Sequence, residues 1–111
     1  DTLAAMVAES VEADLLVLLS DIDGLYTADP HADPTAKLLP VVHRVDDGIR
    51  ALAGVSSTDQ GTGGMVTKLR AAEICLNCGC EMVISNGSEP TLLYDIVEGK
   101  PVGTRFVGES V

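Results

Sequence analysis

Leu3, Met6, Val7, Ser10 and Val11 fall at helical spacing, with small alanines between them. The pattern predicts a helix over Thr2 to Ala13 with these residues on its apolar face. Asp1 sits at its start, where a carboxylate caps free amides and faces the positive end of the helix dipole. Leu15 to Ser20 is a continuous apolar run that ends in Ser20-Asp21. A short run without alternation predicts a strand buried on both faces, as in a parallel sheet. Helix, buried strand and loop in succession give the rhythm of an α/β fold.

From Gly24 to Pro40 the chain is polar and broken by Pro30, Pro34 and Pro40. An irregular stretch of this length inside a compact domain is usually functional. Lys37 to Val42 predicts a short edge strand, limited by Pro40. Asp46 and Asp47 open a short helix that Gly54 ends. A longer helix follows to about Asn77, with Met65, Leu69, Ala72 and Leu76 as its buried stripe and Lys68 and Glu73 off it. Gly79 terminates that helix. Met82-Val83-Ile84 marks a strand within Glu81 to Ser85, ending at the Asn86-Gly87 turn. Glu89 to Glu98 reads as a helix with Leu92, Leu93, Ile96 and Val97 inward, and Val102 to Val107 as a last strand. No internal repeat appears.

The chemistry concentrates in Gly61-Thr62-Gly63-Gly64-Met65-Val66-Thr67-Lys68, just where the long helix begins. Glycines let backbone amides approach an anion closely, because no Cβ intervenes. The helix turns its unpaired N–H groups and positive end toward the same place. Together they make a phosphate cradle, with the Lys68 ammonium beside it. The plainer alternative is a surface loop leading into a helix, with a solvated lysine. Two familiar phosphate signatures are excluded. A Walker A loop needs glycine directly before the lysine, and Thr67 stands there. The dinucleotide fingerprint needs a third glycine where Val66 stands, and it should follow a strand rather than polar Ser56 to Gln60.

In α/β sheets ligands bind beyond the carboxyl ends of the strands. Ser20, Asp21 and Asp23 lie at such an end, suited to a ribose, a base edge or a hydrated metal, or else to a simple turn. Tyr26 either packs on a purine or covers the sheet edge. His31 and His43 have no partners at ligand spacing. Cys75, Cys78 and Cys80 are an odd, closely spaced set, a poor disulfide framework. Without a second cluster they read as free thiols rather than a zinc site, and no metal ligands are assigned. Reduced thiols point to a cytoplasmic setting.

The 111 residues suffice for one domain or part of one, and 46% are hydrophobic. A mean hydropathy of +0.27 argues against disorder. Aromatic residues make up only 3%, so the core must be aliphatic. No apolar run is long enough to span a membrane, and the opening residues do not read as a signal peptide. The formal charge of −10 repels nucleic acid and anionic membrane. An acidic chain that holds a polyanion needs local donors and a divalent cation, which suits a Mg-nucleotide. Opening at Asp1 with no methionine, the sequence reads as a piece of a larger protein.

These residues resemble the carboxyl-terminal half of the amino acid kinase fold, and within it the glutamate 5-kinase family. The matching pieces are Asp1-x-Leu3-x-Ala5, Leu18-Leu19-Ser20-Asp21-x-x-Gly24-Leu25-Tyr26-Thr27-Ala28-Asp29-Pro30, the stretch Gly61 to Lys68, and Val97-Glu98-Gly99-Lys100-x-Val102-Gly103-Thr104. They occur in the family's order over nearly the whole chain. Pairing Tyr26 to Pro30 with Gly61 to Lys68 is more specific than either alone.

The resemblance implies a three-layer αβα sandwich with a mainly parallel sheet, residues 1–111 forming the ATP-binding part of the kinase domain. It implies transfer of phosphate from ATP, with Mg2+, to the γ-carboxylate of L-glutamate, the first step of proline biosynthesis. Ser20, Asp21 and Tyr26 would meet the nucleotide. Thr62, Gly63, Gly64, Met65, Val66, Thr67 and Lys68 would wrap its phosphates. Lys68 would also stabilise charge on the transferring group, and Asp1 would organise the catalytic lysines. A carboxylate with an unperturbed pKa of about 4.3 is ionised near neutrality, so no general base is required.

The family's amino-terminal half, with most glutamate contacts, lies outside this sequence, and so does the RNA-modification-type domain that many members carry. The chain alone should therefore show weak or absent kinase activity. The resemblance also implies a homo-oligomer in the cytoplasm. A non-catalytic nucleotide-binding or regulatory module, a kinase of another subfamily, and a fragment that binds nothing remain as alternatives.

Overall fold

The computed structural model describes residues 2–28, 33–54, 64–89 and 91–108. Its elements are α1 (Thr2–Ser10), β1 (Leu15–Ser20), β2 (Val41–Val42), α2 (Asp47–Gly54), α3 (Gly64–Asn77), β3 (Glu81–Asn86), α4 (Leu92–Val97) and β4 (Thr104–Phe106). The strands form one mixed sheet in the order β1-β3-β4-β2. β1 runs parallel to β3 with Leu18 opposite Ile84, and β2 runs parallel to β4. β3 and β4 are antiparallel, with Met82 opposite Phe106.

The main core lies on one face of this sheet. Leu18, Met82, Ile84 and Phe106 meet Ala5 and Ala8 of α1 and Met65, Leu69, Ala72 and Cys75 of α3. α3 shows the stripe that its spacing predicts, with Leu76 half-buried. The opposite face carries Val83 and Arg105, which pair across β3 and β4. Arg105 donates to the carbonyl oxygen of Ile96 at 2.7 Å, which holds α4 against that side. Helices therefore cover both faces of a mainly parallel sheet, as expected.

α1 departs from its predicted orientation. Ala5 and Ala8 turn inward, while Leu3, Met6, Val7 and Val11 face solvent. Small residues fit the seam against α3, and that contact outweighs the bulkier stripe. The helix stops at Ser10. Glu12 then takes a left-handed φ of 54°, and the amide of Ala13 donates to the carbonyl of Ala8 at 2.9 Å, a C-terminal lock.

β1 is not buried on both faces. It lies at the end of the sheet, so only Leu18 is buried and Leu19 is exposed. α4 is shorter than its pattern suggests and buries only Ile96, leaving Val97 exposed. Asp46 caps α2 by accepting the amide of Ile49 at 2.9 Å. Arg50 of α2 pairs with Glu73 of α3 and joins the two helices. No helix among the described residues is long and apolar enough to cross a membrane.

Candidate functional site

α3 is followed by a tight turn at Gly79, which has a φ of 81°, and then by β3. The helix therefore runs back against its strand. Its amino end lies at the edge of the sheet where β1 and β3 finish. Two segments meet there, the turn after β1 and the turn after β3, and α3 begins toward the same end of the sheet.

The turn after β1 is tightly specified. The amide of Gly87 donates to the carbonyl of Ser20 at 2.8 Å, so the two parallel strands end level. Asn86 then crosses between them and donates from its side-chain amide to Asp23 Oδ1 at 3.2 Å. Its own Oδ1 accepts the hydroxyl of Ser88 at 2.7 Å and the amide of Ser88 at 2.9 Å. Tyr26 donates its phenol to the other Asp23 oxygen, Oδ2, at 3.3 Å. Partial burial and the neighbouring Asp23 carboxylate push the Tyr26 pKa above its usual value. Ser20 Oγ lies 3.3 Å from Asp21 Oδ1 and 3.4 Å from the amide nitrogen of Ile22. Exposed Asp21 and Asp23 thus flank a polar rim whose orientation is set by Tyr26 and Asn86.

The same turn is anchored from the core side. Thr104 of β4 is fully buried. Its hydroxyl accepts the amide of Leu25 at 2.9 Å and donates to the carbonyl of Leu39 at 2.6 Å. Leu25 and Leu39 are also joined by a backbone bond of 2.8 Å, and Tyr26 bridges to Leu38. Gly24 makes room for this packing, since a Cβ there would stand 2.5 Å from Thr104 Oγ1. Gly103 presses still closer. Its φ is 65°, and a Cβ would stand 2.0 Å from the carbonyl oxygen of Ile84.

At the start of α3, Gly64 has a left-handed φ of 41°, a conformation that suits the glycine of the cradle motif. Thr67 Oγ1 donates to the carbonyl of Gly64 at 2.9 Å. Met65 is buried, Val66 is exposed, and Thr67 and Lys68 are half-buried about one turn into the helix. Of the residues expected at the site, Ser20, Asp21 and Tyr26 come together after β1. Gly64, Met65, Val66, Thr67 and Lys68 form the first turns of α3. The Met65 side chain packs into the core. Asp1, Thr62 and Gly63 lie outside the described residues.

Asn86, Gly103 and Thr104 were not singled out as site residues by the sequence pattern. The Asn-Gly pair after an apolar strand was the available signal for the first. The role of Thr104 depends on a contact 79 residues distant, which no local pattern contains. Among the described residues, no group of three or more His, Cys, Asp or Glu could hold a metal ion. Cys75 and Cys80 are buried free thiols and Cys78 is exposed. His43 Nδ1 lies 3.0 Å from the carbonyl oxygen of Val107.

Comparison with known proteins agrees with this fold. A model of the amino acid kinase family matches residues 1–86. Glutamate 5-kinase from Serratia marcescens is 52% identical over 106 residues, spanning 96% of this chain and 29% of the relative. Glutamate 5-kinase from Listeria innocua is 46% identical over 109 residues, spanning 98% of this chain and 40% of the relative. The chain thus spans well under half the length of these curated relatives. Among solved structures, uridylate kinase from Archaeoglobus fulgidus superposes with a TM-score of 0.69 at 27% identity. That match covers 96% of this chain and 46% of the other. Isopentenyl phosphate kinase from T. acidophilum gives 0.68 at 24% identity, covering 94% and 37%, a likeness of fold alone.

Proposed function

From its membership of the amino acid kinase family, to which this chain belongs, we propose that it forms the ATP-binding, carboxyl-terminal part of a glutamate 5-kinase. Residues 1–111 are read as one such unit. The observation that carries this proposal is the meeting of the turns after two parallel strands, cross-linked by Asn86 and Asp23, at the sheet end where α3 begins. That is the crevice in which α/β sheets hold ligands. Identities of about half to relatives named glutamate 5-kinase support the acceptor.

The reaction is transfer of the γ-phosphoryl group of ATP to the γ-carboxylate of L-glutamate. A carboxylate oxygen bonds to phosphorus as the bond to the bridging oxygen of ADP breaks, giving γ-glutamyl phosphate. Such transfer is promoted chiefly by positioning and by donors around spreading negative charge. Amides from Thr62 to Lys68 wrap the phosphates, and the Lys68 ammonium offsets charge on the moving group. Ser20 and Asp21 take the ribose or base side, and Asp1 orders the lysines. Tyr26 serves by holding Asp23. Mg2+ enters as part of the Mg-ATP substrate. Most glutamate contacts come from the part of the domain beyond this sequence, and the assembled enzyme is a cytoplasmic homo-oligomer.

Two measurements test this. Calorimetry should show Mg-ATP binding to the chain, and absence of heat would remove the nucleotide site. In the intact kinase, Lys68→Met should lower turnover by about a hundred- to a thousandfold. Turnover unchanged in that variant would remove Lys68 from the mechanism.

A further inference from the structure

The carboxyl end of α3 carries three cysteines that phosphoryl transfer does not use. The helix closes there in a Schellman motif. The amide of Cys80 donates to the carbonyl of Cys75 at 2.8 Å, and the amide of Gly79 donates to that of Leu76 at 3.4 Å. Gly79 takes the left-handed φ of 81° that this closure requires. In such a motif the first and last residues bring their side chains together, usually as an apolar contact. Here both are thiols. Cys75 is 0% exposed and Cys80 1%, and each acts on the other as a hydrogen-bonding neighbour. Cys78 lies between them in sequence and is exposed. Its Sγ folds back to 3.3 Å from the carbonyl oxygen of Cys75. One helical turn separates Cys75 from Cys78, which places their Cα atoms about 5 Å apart, within the span of a disulfide.

Exposure separates the three thiols by task. Burial pushes the Cys75 pKa up to about 12 and raises that of Cys80. Buried thiols in apolar surroundings are inert toward oxidants in solution. Cys78 is the thiol of this set that solvent reaches. Glu9, Asp14 and Glu81 lie close enough to act on the buried pair. Their charge repels an anionic oxidant such as glutathione disulfide and leaves an uncharged peroxide as the fitting one. We propose that Cys75, Cys78 and Cys80 form a peroxide-driven thiol relay, in which exposed Cys78 meets the oxidant and the buried Cys75–Cys80 pair stores the disulfide. Cys78 Sγ attacks a peroxide oxygen and the O–O bond breaks, leaving a sulfenic acid and one water. Cys75 Sγ attacks Cys78 Sγ, which closes a disulfide and releases a second water. Cys80 Sγ then attacks Cys75 Sγ and breaks that bond, and Cys78 recovers the proton that Cys80 loses. In sum the two buried thiols give up two electrons and two protons, and one hydrogen peroxide becomes two waters. An odd set of cysteines makes a poor structural framework, but a relay needs its third thiol as carrier.

The test uses the intact protein that contains this chain, treated with a small excess of hydrogen peroxide. After an acid quench, free thiols are blocked in denaturant with N-ethylmaleimide. Disulfides are then reduced and the released thiols are blocked with iodoacetamide. The tryptic peptide 71–105 holds all three cysteines, and its fragmentation assigns each label. At equilibrium Cys78 should carry maleimide, and Cys75 and Cys80 should carry the second label. A disulfide that retains Cys78 overturns the proposal. So does a Cys78 oxidised to sulfinic acid beside two free buried thiols. Cys78→Ser changes an exposed position and should slow formation of the Cys75–Cys80 bond by roughly tenfold or more without altering its final extent. An unchanged rate in that variant also overturns the relay.

Discussion

The hydroxyl of Thr104 holds the amide of Leu25, at 2.9 Å, inside the core. The same oxygen donates to Leu39, so one side chain on β4 fixes both strands of the loop leaving β1. Thr104→Val keeps the shape and removes both bonds. The buried amide of Leu25 would then lack its partner, at a cost of about 1–3 kcal/mol. Chemical denaturation should show that loss, and Thr104→Ser should recover most of it. If Val is tolerated at full stability, the hydroxyl does not anchor the loop.

Arg105 carries a second long-range link. Its guanidinium meets Glu81 Oε1 at 2.7 Å and the carbonyl of Ile96 at 2.7 Å, with only 19% of the side chain exposed. Arg105→Met keeps the length and apolar stem but releases the end of α4. We expect about 2 kcal/mol of destabilisation. Hydrogen exchange should accelerate in residues 92–97 before it does in β3. Uniform acceleration across the sheet would instead make Arg105 a general core residue.

Ser85 offers the opposite expectation. Its hydroxyl is buried without a hydrogen-bond partner among the described residues. Ser85→Ala removes an unsatisfied polar atom and should be neutral or stabilising by about 1 kcal/mol. A thermal melt distinguishes the cases, since a drop in melting temperature would mean that the hydroxyl has a partner in solution.

Alkaline pH should weaken the fold through Cys75. Burial, and the neighbouring Cys80, push its pKa up from 9.0 to about 12. A raised folded pKa means that the folded state holds the proton more tightly than the unfolded state. The associated stability is intact below about pH 9 and is lost progressively as pH rises from 9 toward 12. Burial raises the Cys80 pKa too, so its contribution has the same sign. Denaturant midpoints measured across that window should fall in the native protein and fall less steeply in Cys75→Ala. An identical slope in both would clear Cys75 of the effect.

Much of this molecule was legible in order along the chain. β1 and α3 appear where spacing puts them, and Gly79 ends α3 because a left-handed residue is needed there. The glycine-rich cradle was legible as a motif, and its last glycine does take a left-handed conformation. The face of α1 was not legible. Leu3, Val7 and Val11 made the obvious stripe, yet small Ala5 and Ala8 meet α3. Periodicity shows where apolar residues cluster, but not which surface a neighbour covers. β1 was misjudged for a related reason, because its place at the end of the sheet, which leaves Leu19 exposed, is set by strand order and not by its own sequence. Gly103 and Thr104 were part of a recognisable string without a visible task. Their task is the contact with Ile84 and Leu25, set by tertiary structure.

The bond from Thr104 to Leu25 spans 79 residues. A ribosome therefore makes every residue of the loop after β1 long before it makes the residue that fastens it. Until β4 has left the exit tunnel, nascent chains should carry Leu25 and Leu39 without the side chain that fastens both. Arresting translation before and after Thr104, then probing Leu25 by limited proteolysis, would reveal whether the loop after β1 is among the last parts of this protein to take shape.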